Sequence, residues 1–389
     1  MEFVSRLTTA TTLATIVTEL TNGMSGNYDF GILFSAPQHS ASLGDITQKL
    51  RSQIIVGNLI ACSAAGIVGS DSEVEGQPAT ALILAKLPDV KILPFVLTQI
   101  QLEGLKTNED WYRFFEIYPS ENPIFVTLPD PFLFDVNYFL HGLNQAYPKC
   151  PVIGGLASAA SSPRENTLIL NGEEFHEGVV GFVLTGNLRV ETVVSQGCKP
   201  IGQTYIVTAA HENRIQSLAG RPFFDILKEE LGRLSPSDQL LSQEAIFLGI
   251  AMNEYTHEFK RGDFLIRGFM GLEPGTNNGI IAEYITPGQT VQFHLRDAMT
   301  AKEDLSELLN AQWSMSKGEK PKGAIVFSCN GRGVHLFGEK SHDIQMIQKC
   351  LGPISAAGFF CAGEIGPVGS KNFLHGFTSS IALFYPLKP

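Results

Sequence analysis

Three stretches of this chain carry the same order of elements, and that limits the fold more than any other feature, because repeated units must stack on their own copies. The first copy opens with the strand-like run Asp29-Phe30-Gly31-Ile32-Leu33-Phe34. A helix capped by Ser42 follows, with Leu43, Ile46 and Leu50 apolar, then Ile54 to Gly57, the small-residue loop Ala61 to Gly66, a Glu75-Gly76 turn and the strand Ala79 to Ala85. The second copy has Pro123 to Thr127, a helix capped by Asp135, Val152 to Gly155, Ala157 to Ala160, Glu177-Gly178 and Val179 to Leu184. In the third, Gly323 to Phe327 leads through Ser328-Cys329-Asn330-Gly331-Arg332-Gly333 to a helix with Ser341 as N-cap. Gly358, the loop Phe360 to Glu364, His375-Gly376 and the strand Ile381 to Phe384 complete it. Strand, crossover helix and second strand make a βαβ-like unit. Gly57, Gly154 and Gly358 match across the copies, as do Gly76, Gly178 and Gly376.

Between the second and third copies the pattern changes. A turn and strand at Gly197 to Thr208 precede a helix opened by Arg221-Pro222, with Phe224, Leu227, Leu231 and Leu234 on one face. Leu234 to Glu244 reads as a polar connection. Strand candidates follow at Ala245 to Ala251, Asp263 to Leu272, Gly279 to Ile285 and Thr290 to Leu295, and the turns separating the last three spell an antiparallel meander. A helix from Thr300 leads back to the third copy. The expected fold is therefore α/β in two domains, with repeated strand-helix-strand units, mixed sheets and a meander in the second half.

Composition narrows the function classes. Apolar residues make up 44% and charged ones 17% of the 389 positions, so the chain is folded and large enough for two cores. A formal charge of -11, with no cluster among the 28 Lys and Arg residues, argues against a nucleic-acid partner. The N-terminus reads as a Thr-rich amphipathic helix carrying Leu7, Leu13, Ile16, Val17 and Leu20 rather than an export signal, and Ile54 to Gly69 is too interrupted to span a membrane. Cys62, Cys150, Cys198, Cys329, Cys350 and Cys361 form no CxxC pair, and the nine histidines give no metal signature. Reduced thiols, a cytoplasmic location, no metal and no cofactor are the expectations. Gly363-Glu364-Ile365-Gly366-Pro367 lacks a Walker lysine and an adjoining helix, which excludes a phosphate loop.

What the third copy has and the others lack is chemistry. Asn330, Arg332 and Glu364 combine an amide, a guanidinium fork suited to a carboxylate and a carboxylate suited to an ammonium, groups that fit a zwitterionic amino acid. The structural alternative is an ion pair locking two loops. Arg267 is a secondary ligand-binding candidate, and Arg296-Asp297 reads as a local structural pair. Cys329, beside Arg332 at a strand end, is the alternative catalytic residue, a nucleophile with His335 or His375 as base in a hydrolase or transferase. A third class is a protein-interaction scaffold.

Taken in order, Ile60-Ala61-Cys62-Ser63-Ala64-Ala65-Gly66, Gly262-Asp263-Phe264-Leu265-Ile266-Arg267, Phe327 to Gly333 and Gly358 to Pro367 resemble the FIST domain, named for F-box and intracellular signal transduction proteins. The resemblance covers nearly the whole chain as an N-terminal-like half, 1–215, and a C-terminal-like half, 216–389. It implies an intracellular sensory role with small ligands such as amino acids, and output through a separate protein partner, since no F-box accompanies the two halves.

Overall fold

The computed structural model describes residues 1–244 and 246–387; Ala245, the first residue of one expected strand, lies outside the described residues. The chain forms two compact units. One joins Met1–Val194 to Leu305–Pro389, and the other is Ser195–Asp304. In chain order the second unit interrupts the third copy: strand Arg189–Gln196 runs into the unit's first residues, and helix Ala298–Met315 begins within its last ones.

In the first unit the repeat is longer than its sequence signature. Each copy begins with an additional strand and helix: Glu2–Thr8 with Leu13–Thr21, Val90–Leu97 with Gln99–Gly104 and Asn108–Phe115, and Arg189–Gln196 with Ala298–Met315. Leu7 thus lies in a strand, not in the expected N-terminal helix, because Glu2–Thr8 runs antiparallel to Thr80–Lys86 along its full length. The two following strands of each copy are parallel across their crossover helix: Asn27–Ser35 with Ile55–Ser63, Ile124–Pro129 with Val152–Gly155, and Gly323–Cys329 with Ser355–Cys361. The copy's last strand returns antiparallel on the other side.

The hairpin between third and last strand does not stay at home. Gly66–Val68 of the first copy pairs with Ser355–Cys361 of the third. Leu168–Leu170 of the second pairs with Ile55–Ser63 of the first. Glu364–Val368 of the third pairs with Val152–Gly155 of the second. Each six-stranded sheet therefore ends in a hairpin donated by another copy, in a closed cycle. A polar side chain at each donated tip fastens it to the receiving strand. Ser70 bonds the backbone of Ala356, Asn171 accepts from the Leu59 N–H (2.9 Å), and Asn372 accepts from the Val152 N–H (2.8 Å) while donating to Cys150 O (2.9 Å).

The matched glycines have a steric cause. A Cβ on Gly57, Gly154 or Gly358 would lie 2.9, 2.1 or 1.8 Å from the carbonyl oxygen of Asp29, Thr127 or Val326, its neighbour on the parallel strand. The second set departs in one copy: Gly76 and Gly178 have φ of 68° and 85°, but in the third copy the left-handed turn falls on Phe377, at 62°, rather than on Gly376. The small-residue loops meet one another. Ser158 N–H donates to Ser63 O (3.2 Å), Ala65 N–H to Ser158 Oγ (2.9 Å), and Leu156 and Gly363 are joined N–H to O at 2.9 Å. Larger side chains would hold these backbones apart. Inward faces of all three sheets share one core, including Phe30, Phe34, Val126, Phe182, Phe327 and Phe359, and each sheet's outer face packs under its own helices.

The second unit contains an antiparallel meander, but it runs Ile246–Ala251, Phe264–Leu272 and Gly279–Ile281; of the three strands expected in it, only Phe264–Leu272 and Gly279–Ile281 are neighbours. Thr290–Arg296 turns back to pair with Ile246–Ala251 and Cys198–His211, while Arg214–Leu218 joins Gly279–Ile281 to Cys198–His211. The sheet thereby closes on itself, which removes its edges. Helix Phe223–Gly232 contributes Phe223, Ile226 and Leu227 to the core, so its buried face starts one residue before the expected Phe224. Leu234 to Glu244, expected as a connection, contains the helix Pro236–Glu244.

Two substitutions test this architecture. Gly358→Ala should destabilise by about 1–3 kcal/mol through overpacking against the Val326 carbonyl, and Asn372→Ala by about 1–3 kcal/mol because it leaves buried backbone groups unpaired. Urea unfolding of the two variants against the parent protein measures both.

Candidate functional site

Three open polar clefts border the donated hairpin tips, lined in part by Asn171 and Gly172, by Ser70 and Asp71, and by Gly369 and Ser370. They recur with the hairpin exchange, so the fold accounts for them. The edge where strand Gly323–Cys329 ends is different, because no other copy has its residues.

Ser341 holds the N-cap position of helix His342–Leu351, but its backbone is left-handed (φ 61°) and its side chain does not cap the helix. Its hydroxyl instead accepts from the Glu73 N–H (2.9 Å), and the Glu73 carboxylate caps the helix by accepting from the Ile344 N–H (2.9 Å). Two residues on, Glu75 accepts from the Val334 N–H (2.9 Å) at the start of the short helix Val334–Phe337. Its carboxylate lies so close to Gly333 that a Cβ there would be 2.3 Å away. Both acids come from strand Glu73–Glu75 of the first copy's donated hairpin. Alternation along a strand puts residues 73 and 75 on one face.

That clamp fixes the loop carrying Arg332. The guanidinium is fully buried and forms a bidentate pair with Asp343, Nε to Oδ2 at 2.7 Å and Nη2 to Oδ1 at 2.9 Å. Asp343 also accepts from Ser328 Oγ (3.0 Å) and contacts His342 Nδ1 (3.0 Å). Phe337 stacks on the His342 ring with centroids 3.6 Å apart and lies 5.2 Å from the centre of the Arg332 guanidinium. Burial opposes charge on Asp343, yet the Arg332 charge and hydrogen bonds outweigh it and hold the carboxyl well below its ordinary range. Burial likewise opposes charge on Arg332, and Asp343 outweighs it. Glu73 is shifted the other way, upward, by burial and by the Asp343 charge.

Glu364 begins the hairpin donated to the second sheet and is also fully buried. Its Oε2 accepts from Thr378, N–H at 3.1 Å and Oγ1 at 2.6 Å. Burial pushes its carboxyl up to about 8, against the pull of Thr378, the Arg332 charge and the Cys329 thiol. Cys329 is half-buried, and the Gly331 N–H donates to its Sγ at 3.5 Å. Asn330 is exposed. Its backbone N–H bonds Cys361 O (2.9 Å), and its amide, turned to suit its neighbours, donates to Phe360 O (2.8 Å) and Cys361 O (3.2 Å).

The structure thus gathers Cys329, Asn330, Arg332 and Glu364 along one sheet edge. Asp343, not Glu364, takes the Arg332 fork. Arg267 belongs to the second unit, where its Nε pairs with Glu283 (3.0 Å). Of the adjoining pair, Asp297 accepts from the Thr300 N–H (2.9 Å) and so caps the helix expected from Thr300. His335 is exposed on its short helix, and His375 is buried with Nε2 3.0 Å from the Gly366 carbonyl oxygen. Among the described residues, no group of three or more His, Cys, Asp or Glu side chains is placed to hold a metal. Sequence reasoning missed Glu73, Glu75, His342 and Phe337. The one available signal was Glu73-Val74-Glu75, two acids at period two on the second strand of the hairpin.

Among the described residues, buried polar atoms at this edge without a hydrogen bond of ordinary geometry include Glu73 Oε2, Arg332 Nη1, His342 Nε2 and Glu364 Oε1. Such atoms are costly unless water or a ligand meets them.

The pair and the lone acid give opposite predictions. Arg332→Met should cost about 3–5 kcal/mol by stranding the Asp343 charge, and the double variant Arg332→Met/Asp343→Leu should recover much of that. Glu364 has a raised pKa in the folded protein. The stability it contributes is fully present below its ordinary value of 4.5 and is lost as pH rises through about 8. Glu364→Gln should therefore flatten the decline in unfolding free energy across that window, as read by urea titration at several pH values.

Comparison with known proteins places the chain. No helix among the described residues is long and apolar enough to cross a membrane. An uncharacterized protein of Mycobacterium tuberculosis (strain ATCC 25618 / H37Rv) is 37% identical over 359 residues, 92% of each chain. One from Mycobacterium bovis (strain ATCC BAA-935 / AF2122/97) is 36% identical over 357 residues, 91% of this chain and 89% of the relative. The FIST N domain matches residues 29–221 and the FIST C domain residues 224–367, and the chain belongs to the FIST family.

Proposed function

We propose that this protein senses a small polar metabolite, with a zwitterionic amino acid as the favoured ligand class, and reports its binding to a protein partner. The family is associated with signal-transduction sensing. What carries the ligand reading is the pairing of Arg332 Nη1 with Glu364 Oε1. One is a charged donor and the other an acid oxygen, both are buried and open to a further bond, and they lie on the one sheet edge that departs from the repeat. With its fork held by Asp343, Arg332 keeps the Nη1 N–H donors to give a ligand carboxylate. Glu364 receives the ammonium. Because its carboxyl holds a proton up to about pH 8, an arriving ammonium favours the ionised form and drives proton release.

A thermal-shift screen of amino acids and other zwitterions against the full chain tests the proposal. A responding ligand at one hundred times its dissociation constant adds roughly 2.7 kcal/mol of stability. The expected pattern is a response lost in Glu364→Gln, absent with the analogue lacking the amino group, and accompanied by proton release in calorimetry across buffers. A response that survives Glu364→Gln unchanged, or no response to any zwitterion, overturns it.

A further inference from the structure

We propose that the short turn from Gly333 to Gly338 is a hinged gate over Arg332, latched by Glu75 and covered by Phe337, and that its opening lets a ligand reach the buried guanidinium. What the gate admits rests on the ligand reading above; that it opens does not. Both ends of the turn have the backbone of a hinge. Gly333 stands at φ 67°, ψ −149°, and Gly338 at φ 69°, ψ 0°. The first combination is nearly closed to residues with a Cβ, and the second strains them. The reason for glycine differs at the two ends. A Cβ on Gly333 would lie 2.3 Å from the Glu75 carboxylate, whereas one on Gly338 would meet nothing within 4 Å. Glycine at 338 is therefore a demand of backbone conformation alone. Loop-terminal residues of this kind are where moving segments absorb their dihedral changes.

Between the hinges, helix Val334–Phe337 buries none of its residues. The Phe337 and Gly338 N–H groups donate to the carbonyls of Gly333 and Val334 inside the turn (3.0 and 2.9 Å), so the turn moves as a piece with these bonds intact. It is tied to the rest of the unit by the Glu75 carboxylate, which accepts from the Val334 N–H (2.9 Å), and by the Phe337 ring on His342, with planes 16° apart. Asp343 Oδ1 holds Arg332 Nη2 (2.9 Å) and His342 Nδ1 (3.0 Å) side by side, and the one Phe337 ring meets both residues. Arg332 Nη1 and His342 Nε2, both buried here, make no hydrogen bond of ordinary geometry among the described residues. An apolar cover over such atoms is costly, and opening returns them to water. The attraction of Arg332 for the Phe337 ring is no larger than a charged hydrogen bond to Nη1, so a carboxylate arriving there displaces the ring at little net cost.

Two measurements on the full chain test the gate: native-state hydrogen exchange, and modification of Arg332 by phenylglyoxal, both read by peptide mass spectrometry. Amides of 333–338 should exchange at least about tenfold faster than those of helix His342–Leu351, and Arg332 should be modified faster than global unfolding allows. Gly338→Ala strains the closed turn without a clash. It should raise turn exchange and Arg332 modification by the same factor, about fivefold or more, with the helix and the reference Arg267 unchanged. Glu75→Ala, which removes the latch, should act in the same direction. A turn that merely frays would exchange faster in Gly338→Ala and leave Arg332 modification at the parental rate, and that result overturns the gate. So does an Arg332 modified no faster than global unfolding in the parent and in Gly338→Ala alike. Both measurements positive, with no response to any zwitterion, would uphold the gate and overturn the ligand reading alone.

Discussion

Every sheet in the first unit is completed by backbone that belongs to another copy. A sheet edge presents a row of N–H and C=O groups that must find partners. Here the partner is a donated hairpin, exchanged in a cycle so that no copy is finished by its own residues. The other features of the unit follow from this. Hairpin tips need polar fasteners, which Ser70, Asn171 and Asn372 supply, and loops entering and leaving the exchange must pass close together, so they are built of Gly, Ala and Ser.

The exchange also positions the site. Glu73 and Glu75 reach the Arg332 loop because their hairpin was donated to the third sheet. A single strand thus delivers two carboxylates to two helix N-termini, where backbone donors and the helix dipole both favour negative charge. The cost is a concentration of buried acids. Arg332 neutralises Asp343, and the remaining acids, Glu73 and Glu364, are pushed toward their neutral forms. Charge balance at this edge is therefore met partly by protons, which makes the edge responsive to pH and to any cation that enters it.

Much of the fold was legible because its signals are local. Strand runs, crossover helices and the glycines at 57, 154 and 358 can be read from a few neighbouring residues, and the structure supplies their cause in the close approach of parallel strands. Of the expected helix caps Ser42, Asp135 and Ser341, only Asp135 accepts from its own helix, through Tyr138 N–H at 2.9 Å. Ser42 and Ser341 do not cap theirs by side chain, the latter because Glu73 does so from 271 positions away. No local pattern carries that information. The site was half legible for the same reason: Arg332, Glu364 and Cys329 stood out as departures from the repeat, while the pairing of Arg332 with Asp343 depends on how the loop folds back.

The cycle has a consequence for how the chain is made. As the polypeptide emerges from its N-terminus, the second copy's own strands are complete by Gly186, yet its sheet waits for Glu364–Val368, which is synthesised after the whole of the second unit. During that interval the strand Val152–Gly155 presents an unpaired edge, the kind of surface through which nascent chains associate wrongly. The closed sheet of Ser195–Asp304, made in between, has all its strand partners within itself and is free to fold while the earlier unit waits. Translation order thus leaves both Val152–Gly155 and the first copy's hairpin strand Gly66–Val68 without their partners until the third copy is made.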